Sequence, residues 1–419
     1  MSGNSNGSSA EGSGLIDALR TNARGISTMW GMLLDHLSDA HAKTVSSWTV
    51  NPAGGVARTA EGVVVTSKEL VLQVFLNADN YYSVSGYQTR MTQSIGPIYL
   101  GMDWGPEYEA LSTKANAAIG SVTRKEAFDF ALQATRGALA ALPDPSAFDI
   151  QNISDTVLAA VCKNWFDVPD GEFVQAGGFA LSNVLPPARC PADWTYPSAY
   201  IFHPDPDLVL TALGQRTGQM VREAVGKFLE SLRAAGKSPQ GALSRAFFEI
   251  FPKPEDNDLL ARTILGAMMG MLPTVNGNLT ATVKAWQKSA TFLTLQGKLK
   301  TSSESDDYAR AKAIIEQPMM EQIQMAPTPD AVWRTAVREH TLGTINPVQV
   351  HPGDKIYVNI AQATQGDLGN GVTDVCPVFG GNRSATPHPT HACPGFEMAM
   401  GVLLGTIYGV VDRQARPGR

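Results

Sequence analysis

Apolar positions in this chain fall mostly into long helical stretches, and alternation takes over in only two places. Phe396–Val411 is apolar at nearly every position, which predicts a helix buried on all sides in a large core. Leu259–Leu272 has the same character, is interrupted at Pro273-Thr274-Val275-Asn276-Gly277-Asn278, and resumes through Leu279, Val283 and Trp286. Proline cannot continue the hydrogen-bond ladder, so a kink is expected there. Helical spacing also marks Leu15–Ser38, Ala127–Leu142, Ile153–Val161 and Leu208–Ala235, the last with a stripe of Met220, Ala224, Phe228 and Leu232. Ser67 is placed to cap a short helix over Lys68–Leu76. Alternation predicts one hairpin over Thr49–Val65 around Gly54-Gly55, and another over Val348–Ile360 with Pro352-Gly353-Asp354 at the turn. The fold class that follows is mainly α with a small β region. Asn77–Gly101, rich in Tyr, Ser, Gly and Met, fits neither period and reads as a long functional loop.

Residues 1–13 are a Gly/Ser tract expected to be a flexible tail, and residues 14–419 read as a single domain. With 43% hydrophobic and 17% charged residues, a sizeable core is possible and global disorder is excluded. A net charge of −6 argues against nucleic acid as a main partner. Four cysteines at irregular spacing (Cys162, Cys190, Cys376, Cys393) make no disulfide framework, which favours a reducing cytoplasm. The sequence shows no apolar run of membrane-spanning length and no signal peptide.

Cys393 stands at the mouth of the last apolar helix, within His388-Pro389-Thr390-His391-Ala392-Cys393-Pro394-Gly395. Pro394 suits a first helical position, and a thiolate beside unpaired helix N–H groups is expected to be favoured. Gly395 lets a flat group approach closely. Two other readings compete. Cys393 is an inert core residue, or His388, His391 and Cys393, with or without Cys376, hold zinc, though their spacing fits none of the common zinc patterns.

Cys-x-Gly-x-x-Met-Ala, with His391 two residues before the cysteine, resembles the haem-binding loop of the cytochrome P450 family. Upstream, Thr386, Pro387 and Pro389 depart from that family's Phe-Gly-x-Gly. Leu100–Tyr108 resembles the entry to the helix over the haem, with Tyr108 in place of His and Lys114 as the nearest cation to pair a propionate. Pro273-Thr274 keeps the threonine of the family's acid–threonine pair and loses the acid. Asp330–Glu339 occupies the place of the Glu-x-x-Arg helix, keeping Arg338 without its glutamate.

The resemblance implies a cytochrome P450-like fold carrying haem b (iron protoporphyrin IX), with Cys393 as axial thiolate. His391, Gly395, Ala399, Lys114, Tyr108 and Arg338 are then expected around the cofactor. Thr274, Asn276 and Asn278 are expected at the oxygen site, and Tyr87, Met91, Ile95, Met268, Met269 and Met271 around the substrate. The implied activity is monooxygenation of a small apolar substrate by a monomer served by ferredoxin and ferredoxin reductase. A peroxide-using peroxygenase or hydroperoxide isomerase, and a non-catalytic haem- or zinc-binding protein, are the other readings.

Overall fold

The computed structural model describes residues 54–144, 147–168, 195, 198–203, 208–387 and 389–415. The expected tail, the helix over Leu15–Ser38, Cys190 and His388 lie outside them.

Among the described residues seven strands form two sheets: β1 (Val56–Arg58), β2 (Val63–Val65), β3 (Tyr82–Ser83), β4 (Ala331–Ala336), β5 (His340–Leu342), β6 (Val348–Val350) and β7 (Lys355–Asn359). The larger sheet has the order β1-β2-β7-β4-β3, and β5 pairs with β6 in the smaller one. The first hairpin turns at Thr59–Gly62, where the Thr59 N–H meets the Gly62 carbonyl at 2.7 Å, so Gly54-Gly55 precede it and do not form it. The second expected hairpin does not exist. Ile356, Tyr357, Val358 and Asn359 are all buried, so β7 needs a partner on each edge and finds β2 (parallel) and β4 (antiparallel). The turn at Pro352-Gly353-Asp354 therefore hands the chain from one sheet to the other.

Around the sheets pack α1 (Lys68–Leu76), α2 (Ser85–Thr92), α3 (Pro106–Gly120), α4 (Arg124–Ala140), α5 (Ile150–Phe166), α6 (Leu208–Ala234), α7 (Ala242–Ile250), α8 (Asn257–Gln287), α9 (Thr291–Thr301), α10 (Asp307–Ala311), α11 (Gln317–Met325), α12 (Ile360–Gly369) and α13 (Phe396–Ala415). The Ser67 hydroxyl caps α1 as expected, accepting from the Leu70 N–H. Asn77–Gly101 is not one loop: it contains β3, α2 and a 3-10 turn at Tyr99–Gly101.

α8 runs through Pro273 without interruption. The proline removes one N–H, and the Thr274 hydroxyl donates to the neighbouring carbonyls of Gly270 (2.8 Å) and Met271 (2.9 Å), patching the weakened turn. α13 makes its most extensive contact with α4. Gly401, Gly405 and Gly409 form the contact ridge, because a Cβ there would lie 2.4 Å from the Arg124 carbonyl, 2.4 Å from that of Phe128 and 2.9 Å from Thr135. Among the described residues no helix is long and apolar enough to cross a membrane.

Candidate active site

The segment before α13 is a crossed loop. A 3-10 turn, Cys376–Phe379, ends in Gly380 and Gly381, at φ +75° and +106°. The chain leaves this turn through residues 382–387 and, at Cys393, lies so that the Cys393 N–H donates to the Phe379 carbonyl at 2.8 Å. A Cβ on Gly381 would lie 2.5 Å from Pro389, so the crossing needs glycine twice over, for space and for positive φ. Arg383 tightens the loop by donating to the Ala392 carbonyl, its Nε at 2.8 Å. Phe379-Gly380-Gly381 is thus brought against the cysteine by the crossing, although the two are apart in sequence. α13 begins after this turn, with Ala399 donating to the Gly395 carbonyl, so Pro394 precedes the helix and does not open it.

Cys393 is partly accessible, because it faces a cavity of about 280 Å³. The expected stabilisation of its thiolate does not prevail. Burial pushes the thiol pKa up, outweighing the Gly395 N–H and the Arg383 charge that pull it down. A thiolate here needs a cation beside it.

Gly266, Ala267, Gly270, Met271 and Thr274 of α8 line the cavity together with the cysteine loop. A Cβ on Gly270 would meet nothing within 4 Å, so α8 leaves open space there. Val332, Thr328 and Pro329 lead into β4 on another side, and Gly395 and Ala399 start α13 beside the cysteine.

The cavity lining is mostly apolar, with hydroxyl groups from Thr274, Thr328 and Tyr99, and besides these and Cys393 its charged or titratable groups are Arg334 and His391. Arg334 is largely buried against the cavity, its guanidinium pKa lowered by that burial despite an opposing longer-range pull from Asp103, and it donates to the Trp333 carbonyl at 2.8 Å and to Tyr87. Among the described residues no carboxylate lies within ion-pair distance of it. A buried cation without a counter-charge costs several kcal/mol, so an anionic group in the cavity would be held here. Burial together with Arg334 and Arg383 pushes His391 down to about 3, leaving a neutral imidazole hydrogen-bonded to the Met102 backbone.

Among the expected residues, Cys393, His391, Gly395, Ala399, Thr274 and Met271 line the cavity. Tyr108 stands one layer behind, edge-on to His391 at 5.1 Å, its hydroxyl donating to the Thr390 carbonyl at 2.6 Å. Lys114 is exposed on α3. Tyr87, Met91, Ile95, Met268 and Met269 are packed in the core and do not line the cavity. Asn276 points to α5, accepting from Ser154 at 2.7 Å and Gln151 at 3.2 Å, while Asn278 is committed to Thr274 and Thr328.

Arg338 is not a buried brace. It is exposed and reaches the Asp79 carbonyl at 3.3 Å, because Ala331–Ala336 is a strand whose β-branched and aromatic residues fit a sheet. The buried brace is Gln324 on α11. Its amide donates to the carbonyls of Val372 (3.1 Å) and Thr364 (3.4 Å) and accepts from the Asp374 N–H (3.0 Å). Sequence reasoning missed Gln324, Arg334, Phe379 and Arg383. The β-branched and aromatic run Val332-Trp333 and Thr335 was the available signal for a strand carrying Arg334, and Phe-Gly-Gly that for Phe379. Among the described residues no group of three or more His, Cys, Asp or Glu is placed to hold a metal ion.

The helical array, the small sheets and a cysteine loop facing the long helix across a cavity constitute a cytochrome P450 fold. The chain is similar to the solved structure of P450BioI in complex with hexadec-9Z-enoic acid-ligated acyl carrier protein, with a TM-score of 0.62 over 95% of this chain and 92% of that one, at 12% identity. No family model matches the chain, and no curated protein does.

Proposed function

We propose that the protein is a haem-thiolate oxidoreductase, and that its reaction is monooxygenation of a small apolar substrate. The observation that carries this is Cys393 opening onto an apolar cavity opposite the small-residue face of α8, within a cytochrome P450 fold. The residues present fit haem b. Cys393 would supply a thiolate whose charge the buried site disfavours without a metal. Gly270 leaves open space on the α8 side where a flat group would fit, and Gly395, beside the Cys393 sulfur, has no side chain to crowd it. Arg334 and neutral His391 would hold its carboxylates at the polar end. When bound, the cofactor supplies oxygen activation, with electron density from the thiolate favouring O–O cleavage.

The chain's own residues do the remaining work. Val332, Leu100, Tyr99, Met271 and Phe75 exclude water from the cavity and favour an apolar substrate. The Thr274 hydroxyl has its hydrogen committed to α8 carbonyls, so it offers the cavity an acceptor lone pair, able to orient a donor O–H. Electrons would come from a ferredoxin and its reductase.

A second reading, peroxide-driven turnover, rests on the absence of any carboxylate among the described residues that line the cavity. A hydroperoxide brings both electrons and a proton with it and does not depend on a proton relay.

One absorbance spectrum tests the haem assignment. The reduced protein with carbon monoxide should show the strongly red-shifted Soret band of thiolate ligation. Cys393→Ala should lose it, while Cys162→Ala and Cys376→Ala keep it. A colourless protein holding stoichiometric zinc would overturn the proposal.

A further inference from the structure

Asn278, four residues beyond Thr274 on α8, makes three hydrogen bonds that orient its whole amide. Its Nδ2 donates to the Thr328 carbonyl at 2.7 Å and to the Thr274 carbonyl at 2.9 Å, and its Oδ1 accepts from the Thr328 N–H at 2.9 Å. The side chain is 3% exposed, so each bond would be missed if broken. The preceding residue makes the approach possible. A Cβ on Gly277 would lie 2.6 Å from the Thr328 hydroxyl, so only glycine lets this segment sit so close to the helix. Thr274 on one side of the clasp, and Thr328 and Pro329 on the other, both line the cavity.

We propose that Asn278 is a positioning residue that fixes the Thr328–Pro329 wall against α8 and so sets the width of the cavity between them. This rests on the haem-thiolate reading for its consequence, selectivity by size among ligands that enter beside the iron. Asn278 itself touches neither substrate nor cofactor. Its neighbour Asn276 makes a similar number of bonds, but to α5, away from the cavity, and so provides an internal control.

The test uses the haem-loaded protein. Haem content is measured first, as pyridine haemochromogen. Dissociation constants are then read by optical titration for imidazole and for a bulky phenyl-substituted imidazole. In Asn278→Ala the haem content should match wild type while the ratio of the two constants shifts by about fivefold or more, since wall shape matters to the large azole and little to the small one. Gly277→Ala pushes the same wall away from α8, the new Cβ meeting Thr328, and should also shift the ratio. It decides the matter alone if Asn278→Ala does not fold. Asn276→Ala should leave the ratio unchanged. An unchanged ratio in both wall variants, or an equal shift in Asn276→Ala, overturns the inference while leaving the haem reading intact. A wild-type protein without haem overturns both.

Discussion

The backbone N–H of Cys393 donates to the carbonyl of Phe379 at 2.8 Å, although thirteen residues separate the two in sequence. That bond aims the thiol into the cavity, and it forms because Gly380 and Gly381 let the two strands of the loop cross. Gly381→Val should therefore break the site without touching the cysteine. The new side chain would collide with Pro389 and meet a φ of +106° that β-branched residues avoid. We expect a loss of about 2–4 kcal/mol in stability and little haem-loaded protein. Wild-type haem occupancy and an unchanged denaturation midpoint in that variant would remove this account of the loop.

How much of this could be read from the sequence depended on how local the cause was. The cap at Ser67, the buried helices and the cysteine at the mouth of α13 follow from neighbours in the chain, and they appear where expected. Pairings between distant segments did not follow. β7 reads as the second arm of a hairpin until its burial on both faces shows that it takes β2 and β4 as partners. Arg338 looked like the buried arginine because Asp330–Glu339 occupies the place of a Glu-x-x-Arg helix, yet the chain needs a strand there, which turns Arg334 into the cavity and leaves Arg338 in solvent. The thiol's electrostatics also reversed, since the helix end favours charge locally while burial, a property of the whole fold, disfavours it more.

Gln324 carries the bracing role expected of Arg338, and the two should respond oppositely to truncation. Gln324→Leu leaves the Asp374 N–H and the carbonyls of Thr364 and Val372 without their partner inside the protein. It should cost about 2–4 kcal/mol. Arg338→Ala should stay within about 0.5 kcal/mol of wild type, as surface substitutions usually do. Urea denaturation of both variants compares them directly. A severe loss in Arg338→Ala with none in Gln324→Leu would reverse the assignment.

Acid should loosen the sheet at Asp354. This carboxylate receives Arg58 at 2.6 and 3.2 Å and the His351 N–H at 2.8 Å, and the Arg58 hydrogen bond first of all lowers its pKa. A carboxylate with a depressed folded-state pKa stabilises above its unfolded pKa, near 4, and that stabilisation is lost as pH falls through the folded value. Stability of wild type relative to Asp354→Asn should therefore be constant near neutrality and shrink below about pH 4. The pair is partly exposed, so the effect is small and weaker in high salt. A difference that stays flat down to pH 2 would show that Asp354 is not ionised by this contact.

The last prediction concerns proton supply. Reducing dioxygen to the level of peroxide and splitting it consumes protons, which an acid near the bound oxygen normally relays. Here Pro273 precedes Thr274 and offers neither an acid nor an N–H. The Thr274 hydroxyl is held by the Gly270 and Met271 carbonyls, and Asn278 is held by Thr328, so neither is free to pass a proton inward. His391 stands at the polar end beside Arg334, where burial and the arginine charges disfavour its imidazolium form, so it is a poor proton source for the α8 side of the cavity. Wild type is therefore expected to waste reductant with a surrogate ferredoxin system and to perform comparatively well with hydroperoxide. Pro273→Asp should raise product formed per NADPH consumed by about tenfold or more, within the range that a positioned acid contributes. Pro273→Ala serves as the control, because it restores the helix N–H without adding an acid and should leave coupling near wild type. Equal gains in both variants would trace the effect to helix repair and away from proton delivery. Tight coupling in wild type, with no turnover on peroxide, would show that ordered water or the substrate supplies the protons and that Pro273 carries no such meaning.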